Sequence, residues 1–182
     1  MDAMDIKVSN NSTEVAESAI NYELEGRKIL SDAEEKAVDP LSKATFRFLA
    51  DQELRHIEAI KSFAQSLSGE GAFDQELLLP ATREYARDQI KGLFAEFKSR
   101  FEETSGRDEE RQSIYKVALD MEHCGHDFYH AAAEQAADET AKKLYSFLAE
   151  EESRHFELIQ ETATFLKQPD AIMAVEERWM QI

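Results

Sequence analysis

The sequence predicts an all-α fold, a bundle of four long helices arranged as two hairpins, and three observations carry that prediction. Only 3 prolines and 6 glycines occur in 182 residues, so the strongest helix breakers are scarce. The segments between them are rich in Ala, Glu, Leu and Lys, and no alternating Val/Ile/Thr run reads as a strand. Finally, residues 19–60 laid over 118–159, an offset of 99, are identical at 16 of 42 positions without a gap. The densest match is Phe-Leu-Ala-x-x-Glu-x-Arg-His-x-Glu, at 48–58 and again at 147–157. A repeat of this length describes one supersecondary unit used twice.

Each element follows in order. Asn10 and Asn11 are capping candidates for a first helix from Ser12 to about Ala37. Asp39-Pro40 reads as a cap and a first-turn proline, opening a second helix that runs to about Leu67. Residues 69–80 read as a loop. A further helix over 82–104 carries Ala86, Ile90, Leu93, Phe97 and Phe101 at heptad-like spacing and ends at Ser105-Gly106. Asp108 is placed to cap the next long helix, to about Ala137, and Asp138 the last, which runs to Lys167 before Pro169. A short amphipathic tail with Trp179 closes the chain. The organisation is one domain over 1–182: a hairpin at 12–67, a crossover at 68–107, a second hairpin at 108–167 and a tail at 168–182. A crossover of about 40 residues can traverse a bundle and return the second hairpin antiparallel to the first.

Composition excludes several functions. The longest stretch without Asp, Glu, Lys or Arg is Ser62–Gly69, far short of the roughly 20 apolar residues of a membrane span. The N-terminus has neither a basic start nor an apolar core, so no secretory signal is read. One cysteine, Cys124, forbids an internal disulfide, a zinc ribbon or a four-thiolate iron site, and a cytoplasmic setting is expected. With 38 Asp+Glu against 21 Lys+Arg the net charge is −17, which argues against nucleic acid and in favour of cations.

The helical stripes carry chemistry where packing alone calls for apolar residues. In the first helix Ala16, Ala19, Glu23, Gly26, Leu30, Ala33 and Ala37 share a face; in the second, Thr45, Phe48, Leu49, Glu53, His56, Ile60, Phe63 and Leu67 do. An ionised Glu within such a stripe is costly unless something compensates it. Glu53 and His56 are three apart and project side by side. Midpoints between Glu23 and Glu53, and between Glu23 and His56, fall at the Val38-Asp39-Pro40 turn, so the folded hairpin sets all three level. Glu122, Glu152 and His155 repeat the arrangement about the Asp138 turn. Two sets of two carboxylates and one imidazole therefore converge in one core, where only cations keep four carboxylates ionised. Carboxylate and imidazole together suit iron or manganese, and carboxylates can bridge two such ions.

Glu from two helices with Glu-x-x-His from two others is the ligand set of ferritin-like di-metal bundles. The segments AINYELEGRKIL with FLADQELRHIEAI, and ALDMEHCGHDFY with FLAEEESRHFELI, resemble the rubrerythrin branch of that ferritin-like superfamily over about 15–67 and 112–167. The resemblance implies a non-haem di-iron site, with Mn or Zn as possible substitutes. It makes Glu23 and Glu122 terminal carboxylates, Glu53 and Glu152 the bridging pair, and His56 and His155 the terminal imidazoles. It further implies an oxidoreductase reacting with O2 or H2O2 as ferroxidase or peroxide-detoxifying protein, an electron donor of unknown identity, and a homodimer. A non-catalytic iron-binding or delivery protein, and an oxygenase acting on an organic substrate, are the alternatives. Two departures stand out. Gly125, matched by Gly26, occupies the position where rubrerythrins proper carry a further carboxylate, and the single cysteine leaves no rubredoxin module. Among neighbours, His126 reads as a partly exposed polar residue or a donor behind the site, and His123 and His130 as surface. Cys124 reads as a small buried filler, and Tyr129 either as core or as a hydrogen-bond donor to a ligand carboxylate.

Overall fold

A computed structural model describes residues 9, 11–78 and 108–167. Asn10, the helix expected over 82–104 and the Trp179 tail lie outside the described residues. Helix α1 spans Ser12–Lys36 and α2 spans Pro40–Leu67, and each is started by the side chain the sequence offers. Asn11 accepts the Thr13 N–H at 3.0 Å, and Asp39 accepts the Ser42 N–H at 2.7 Å ahead of the first-turn Pro40. Helix α2 ends where Gly69 takes φ +77°, letting the Glu70 N–H close on the Gln65 carbonyl at 3.0 Å. One 3₁₀ turn, Gln75–Leu78, lies within the expected loop. Helix α3 spans Asp108–Gln135, beginning at Asp108 itself and stopping two residues short of the expected end. Asp138 caps α4, Glu139–Lys167, by accepting the Ala141 N–H at 2.9 Å. No strand occurs among the described residues, and no helix among them is long and apolar enough to cross a membrane.

The hairpins α1–α2 and α3–α4 are each closely packed, and they meet through α1 against α3 and α2 against α4. Both inter-hairpin pairs run antiparallel. Tyr22 packs on Gly125 while Met121 packs on Gly26, and Thr45 meets Thr162 while Glu53 meets His155. Because 22 and 121, like 26 and 125, differ by the repeat offset of 99, the bundle is closely two-fold symmetric, as the repeat demanded.

Two apolar clusters fill the interior. One gathers Leu30, Leu41, Phe46, Leu49, Tyr115 and Ile159, and the other Ala19, Ile60, Phe63, Tyr129, Leu144 and Leu148. Each fully buried Leu or Phe contributes roughly 1.5–3 kcal/mol, so each cluster is a substantial plug. Between them lies a belt of buried charge. Two stripe positions fall short of the core: Phe48 is only partly buried, and Leu67, in the last turn where α2 leaves the bundle, is exposed. Cys124 is exposed rather than buried, because it lies about 200° around the helix from Glu122.

Candidate metal centre

The belt is built from the six stripe residues. Glu23, Glu53, His56, Glu122, Glu152 and His155 are all 4% exposed or less. Each helix contributes at one level because each hairpin turn lies midway between its members. His56 Nδ1 faces Glu23 Oε2 at 3.3 Å, Glu53 Oε2 at 3.3 Å and, from the other hairpin, Glu152 Oε1 at 3.4 Å. His155 Nδ1 faces Glu53 Oε1 at 3.2 Å and Glu122 Oε2 at 3.5 Å. The two imidazoles lie nearly parallel, ring centres 5.2 Å apart.

These donors sort into two quartets, Glu23, Glu53, His56 and Glu152, and Glu53, Glu122, Glu152 and His155, each with its ligand atoms within 4.8 Å of one another. Glu53 and Glu152 belong to both. Donor separations of 3.2–3.5 Å match the edges of a polyhedron about an ion roughly 2.1 Å from each ligand. Burial without pairing points the same way. Glu53 Oε1, both Glu122 oxygens, Glu152 Oε1 and His155 Nδ1 are buried with no hydrogen-bond partner among the described residues. Each such orphan costs roughly 1–3 kcal/mol, so five in one belt weigh against the fold unless a cation takes them. An all-oxygen-and-imidazole donor set fits iron.

Without a cation the belt holds protons instead. Burial, then the charge of Glu53, pushes the Glu23 carboxyl well above its usual range. Burial, then the charge of Glu152, does the same to Glu122. Burial also works against ionisation of Glu53, but the hydrogen bond with Glu23 and the two imidazoles hold it well below the usual range. Burial lowers both imidazoles, and the carboxylates overcome it: Glu23 and Glu53 raise His56, while Glu122 above all pushes His155 up to about 10.

Tyr129 settles between its two readings: it is fully buried, and its O–H donates to Glu23 Oε1. Burial, then the charge of Glu23, pushes its phenol well above the usual range, so it stays a donor. His126 does not reach the belt. Four residues past Glu122 it has turned about 40° away, and its Nδ1 meets Asp127 Oδ1 at 3.2 Å. His123 and His130 are exposed, as expected. Two participants were not read from the sequence. Glu151, buried and bonded to Arg154, brings a carboxylate oxygen within 4.8 Å of His56 and His155 ligand atoms. Tyr22 donates its O–H to the Met121 carbonyl at 2.5 Å and leans over Gly125. The repeat conceals both, since their partners across it are Gln52 and Met121.

A family model for Rubrerythrin matches residues 14–163, from the first turn of α1 to the last turns of α4. The chain belongs to the rubrerythrin family. Neither a search of curated proteins nor one of solved structures gives a match. As a rubrerythrin-family bundle, the chain is notable for what surrounds Gly125. A Cβ there would stand 2.9 Å from both Glu152 Oε2 and the Tyr22 ring. The place where a further carboxylate would begin is therefore already filled by a bridging-candidate oxygen and an aromatic edge.

Proposed function

We propose that the chain is a non-haem di-iron protein that reacts with O2 or H2O2, as a ferroxidase or a peroxide-reducing oxidoreductase. The observation that supports it most is the pair of buried quartets sharing Glu53 and Glu152. On this reading Glu23 with His56 would hold one iron, Glu122 with His155 the other, and Glu53 and Glu152, common to both quartets, would serve both. When bound, two ferrous ions supply one electron each, enough to take hydrogen peroxide and two protons to two waters. The chain's own part is to position and to exclude. Tyr129 fixes the orientation of Glu23 through its hydrogen bond. The apolar clusters at both ends keep bulk water from the belt, which strengthens every interaction within it. Gly125 and Tyr22 keep a seventh side chain from closing the site on the α1–α3 side.

Anaerobic reconstitution with ferrous ion tests the reading. Two irons per chain are expected, followed by consumption of O2 or H2O2 coupled to iron oxidation. A ratio near zero sinks it.

A further inference from the structure

The outer face of the second hairpin carries a feature that the first hairpin lacks. An open groove between α3 and α4 is lined by His126, His130 and Glu134 from α3 and by Glu150 and Glu157 from α4. His126 and His130 are four apart, so they sit one above the other on a helix face, with ring centres 5.9 Å apart. Paired imidazoles at this spacing are a helix's chelating arrangement for a zinc-like ion. The orientation of the rings leaves one nitrogen of each open to the groove's solvent. His126 Nδ1 meets Asp127 Oδ1 at 3.2 Å, and His130 Nδ1 faces Glu134 Oε2 at 3.8 Å. His126 thus turns one nitrogen to a carboxylate, as metal-bound histidines do, while the His130 contact is longer than a hydrogen bond, and neither Nε2 has a partner among the described residues.

The repeat supplies a comparison. At the offset of 99, Glu134, Lys142, Arg154 and Glu157 are matched by Glu35, Lys43, Arg55 and Glu58, so both hairpins carry the same charged frame. Arg27 and Ser31 stand where the second hairpin has His126 and His130, and the groove's Ala133, Ser146 and Ser153 are matched by Glu34, Arg47 and Leu54. The first hairpin thus offers a guanidinium and a hydroxyl in sequence where the second offers two nitrogen donors. The groove's own cations do not block it, since Arg154 is engaged by Glu150 and Glu151, leaving Lys142 as its remaining positive charge.

We infer that His126 and His130 form a surface site for one divalent cation of the imidazole-preferring class, zinc being the probe, separate from the buried belt. Water completes the coordination, because no carboxylate among the described residues of the groove stands within ligand reach of both imidazoles. Because the groove is open to solvent, the site exchanges its ion more readily than the belt. It lies one helical turn beyond Glu122 on α3.

Equilibrium dialysis against zinc, with the full chain, tests the inference. His126→Asn with His130→Asn should bind one zinc equivalent fewer than the unaltered chain, while His123→Asn should bind the same number. That difference should persist in a Glu53→Ala, Glu152→Ala background, which isolates the groove from the fate of the belt. An unchanged count in the His126, His130 variant overturns the inference.

Discussion

The two hairpins share a plan and differ in how they hold their own carboxylate. Glu23 is gripped twice, by the Tyr129 O–H on Oε1 and by His56 Nδ1 on Oε2 at 3.3 Å. Glu122, its counterpart, has no hydrogen-bond partner on either oxygen, with His155 Nδ1 standing off at 3.5 Å. The cause is one position: at the offset of 99 Tyr129 corresponds to Leu30, which is fully buried and offers nothing to Glu122. Two-fold backbone symmetry therefore does not make two equal half-sites. One residue decides which carboxylate receives a phenol hydrogen bond and which does not.

The strongest way to break the comparison is to remove what the halves share. Glu53→Ala or Glu152→Ala takes a donor from both quartets at once. Each should lower the metal content from two ions per chain to less than one, whereas Glu25→Ala, on the exposed face of α1, should leave it at two. Elemental analysis after anaerobic loading reads this. Equal content in all three variants would show that the shared pair bridges nothing.

Next in size is the response to pH. The carboxylates around His155, Glu122 first, push it up to about 10 from an ordinary value of 6.5, and Glu23, Glu122 and His56 are raised as well. A folded value above the unfolded one stabilises below the unfolded value and loses that contribution as pH climbs through the folded one. The metal-free chain should therefore melt progressively lower from about pH 6.5 to 10. Metal takes the place of those protons, so the loaded chain should lose much less over that range, and loading near neutral pH should release protons. Thermal scans with and without metal, and a pH-indicator titration, measure both. A metal-free melting temperature flat over that range would remove the protonated belt.

A smaller contrast separates the glycines. A Cβ on Gly125 would meet Glu152 Oε2 and the Tyr22 ring at 2.9 Å, while one on Gly26 would meet the flexible Met121 thioether at 3.2 Å. Gly125→Ala should thus cost about 1–3 kcal/mol, as overpacking does, and should disturb metal loading by displacing Glu152. For Gly26→Ala the cost should be less than 1 kcal/mol by the same reasoning, since a methionine end can yield. Denaturant unfolding of both variants decides, and equal costs would contradict the asymmetry.

Tyr129→Phe should have the smallest effect and sharpen the comparison most. It removes only the grip on Glu23, at about 1–2 kcal/mol of stability, and it should bring the two ion affinities closer together. If a metal titration of the unaltered chain shows two separated steps, the variant should show them merging. A variant with unchanged spacing would place the inequality elsewhere.

The candidate ligands were legible because their chemistry contradicts their setting. A Glu or His on an apolar stripe is conspicuous, and the repeat doubles each instance: Glu23 with Glu122, Glu53 with Glu152, His56 with His155. The hairpin turns were legible because Asp39-Pro40 and Asp138 act locally. What escaped were relations across the bundle. Whether Tyr129 packs or donates depends on Glu23, 106 positions away, and nothing in its own neighbourhood states which. The lean of Tyr22 over Gly125 and the approach of Glu151 to both histidines likewise arise only once α1 meets α3 and α2 meets α4. Cys124 failed differently: counting its place around the helix puts it outside, whereas its residue type suggested burial.

The charged belt between two apolar plugs has a mechanical consequence. Packing is close within each hairpin and sparser between them, and the shared glutamates come one from each side, Glu53 from α2 and Glu152 from α4. An ion held by both acts as a rivet through two jointed plates. Withdrawing it leaves each plate intact but lets the seam breathe. Amide exchange in the metal-free chain should quicken first along the faces of α1 and α3 that meet at the seam, and last in the turns that close each hairpin.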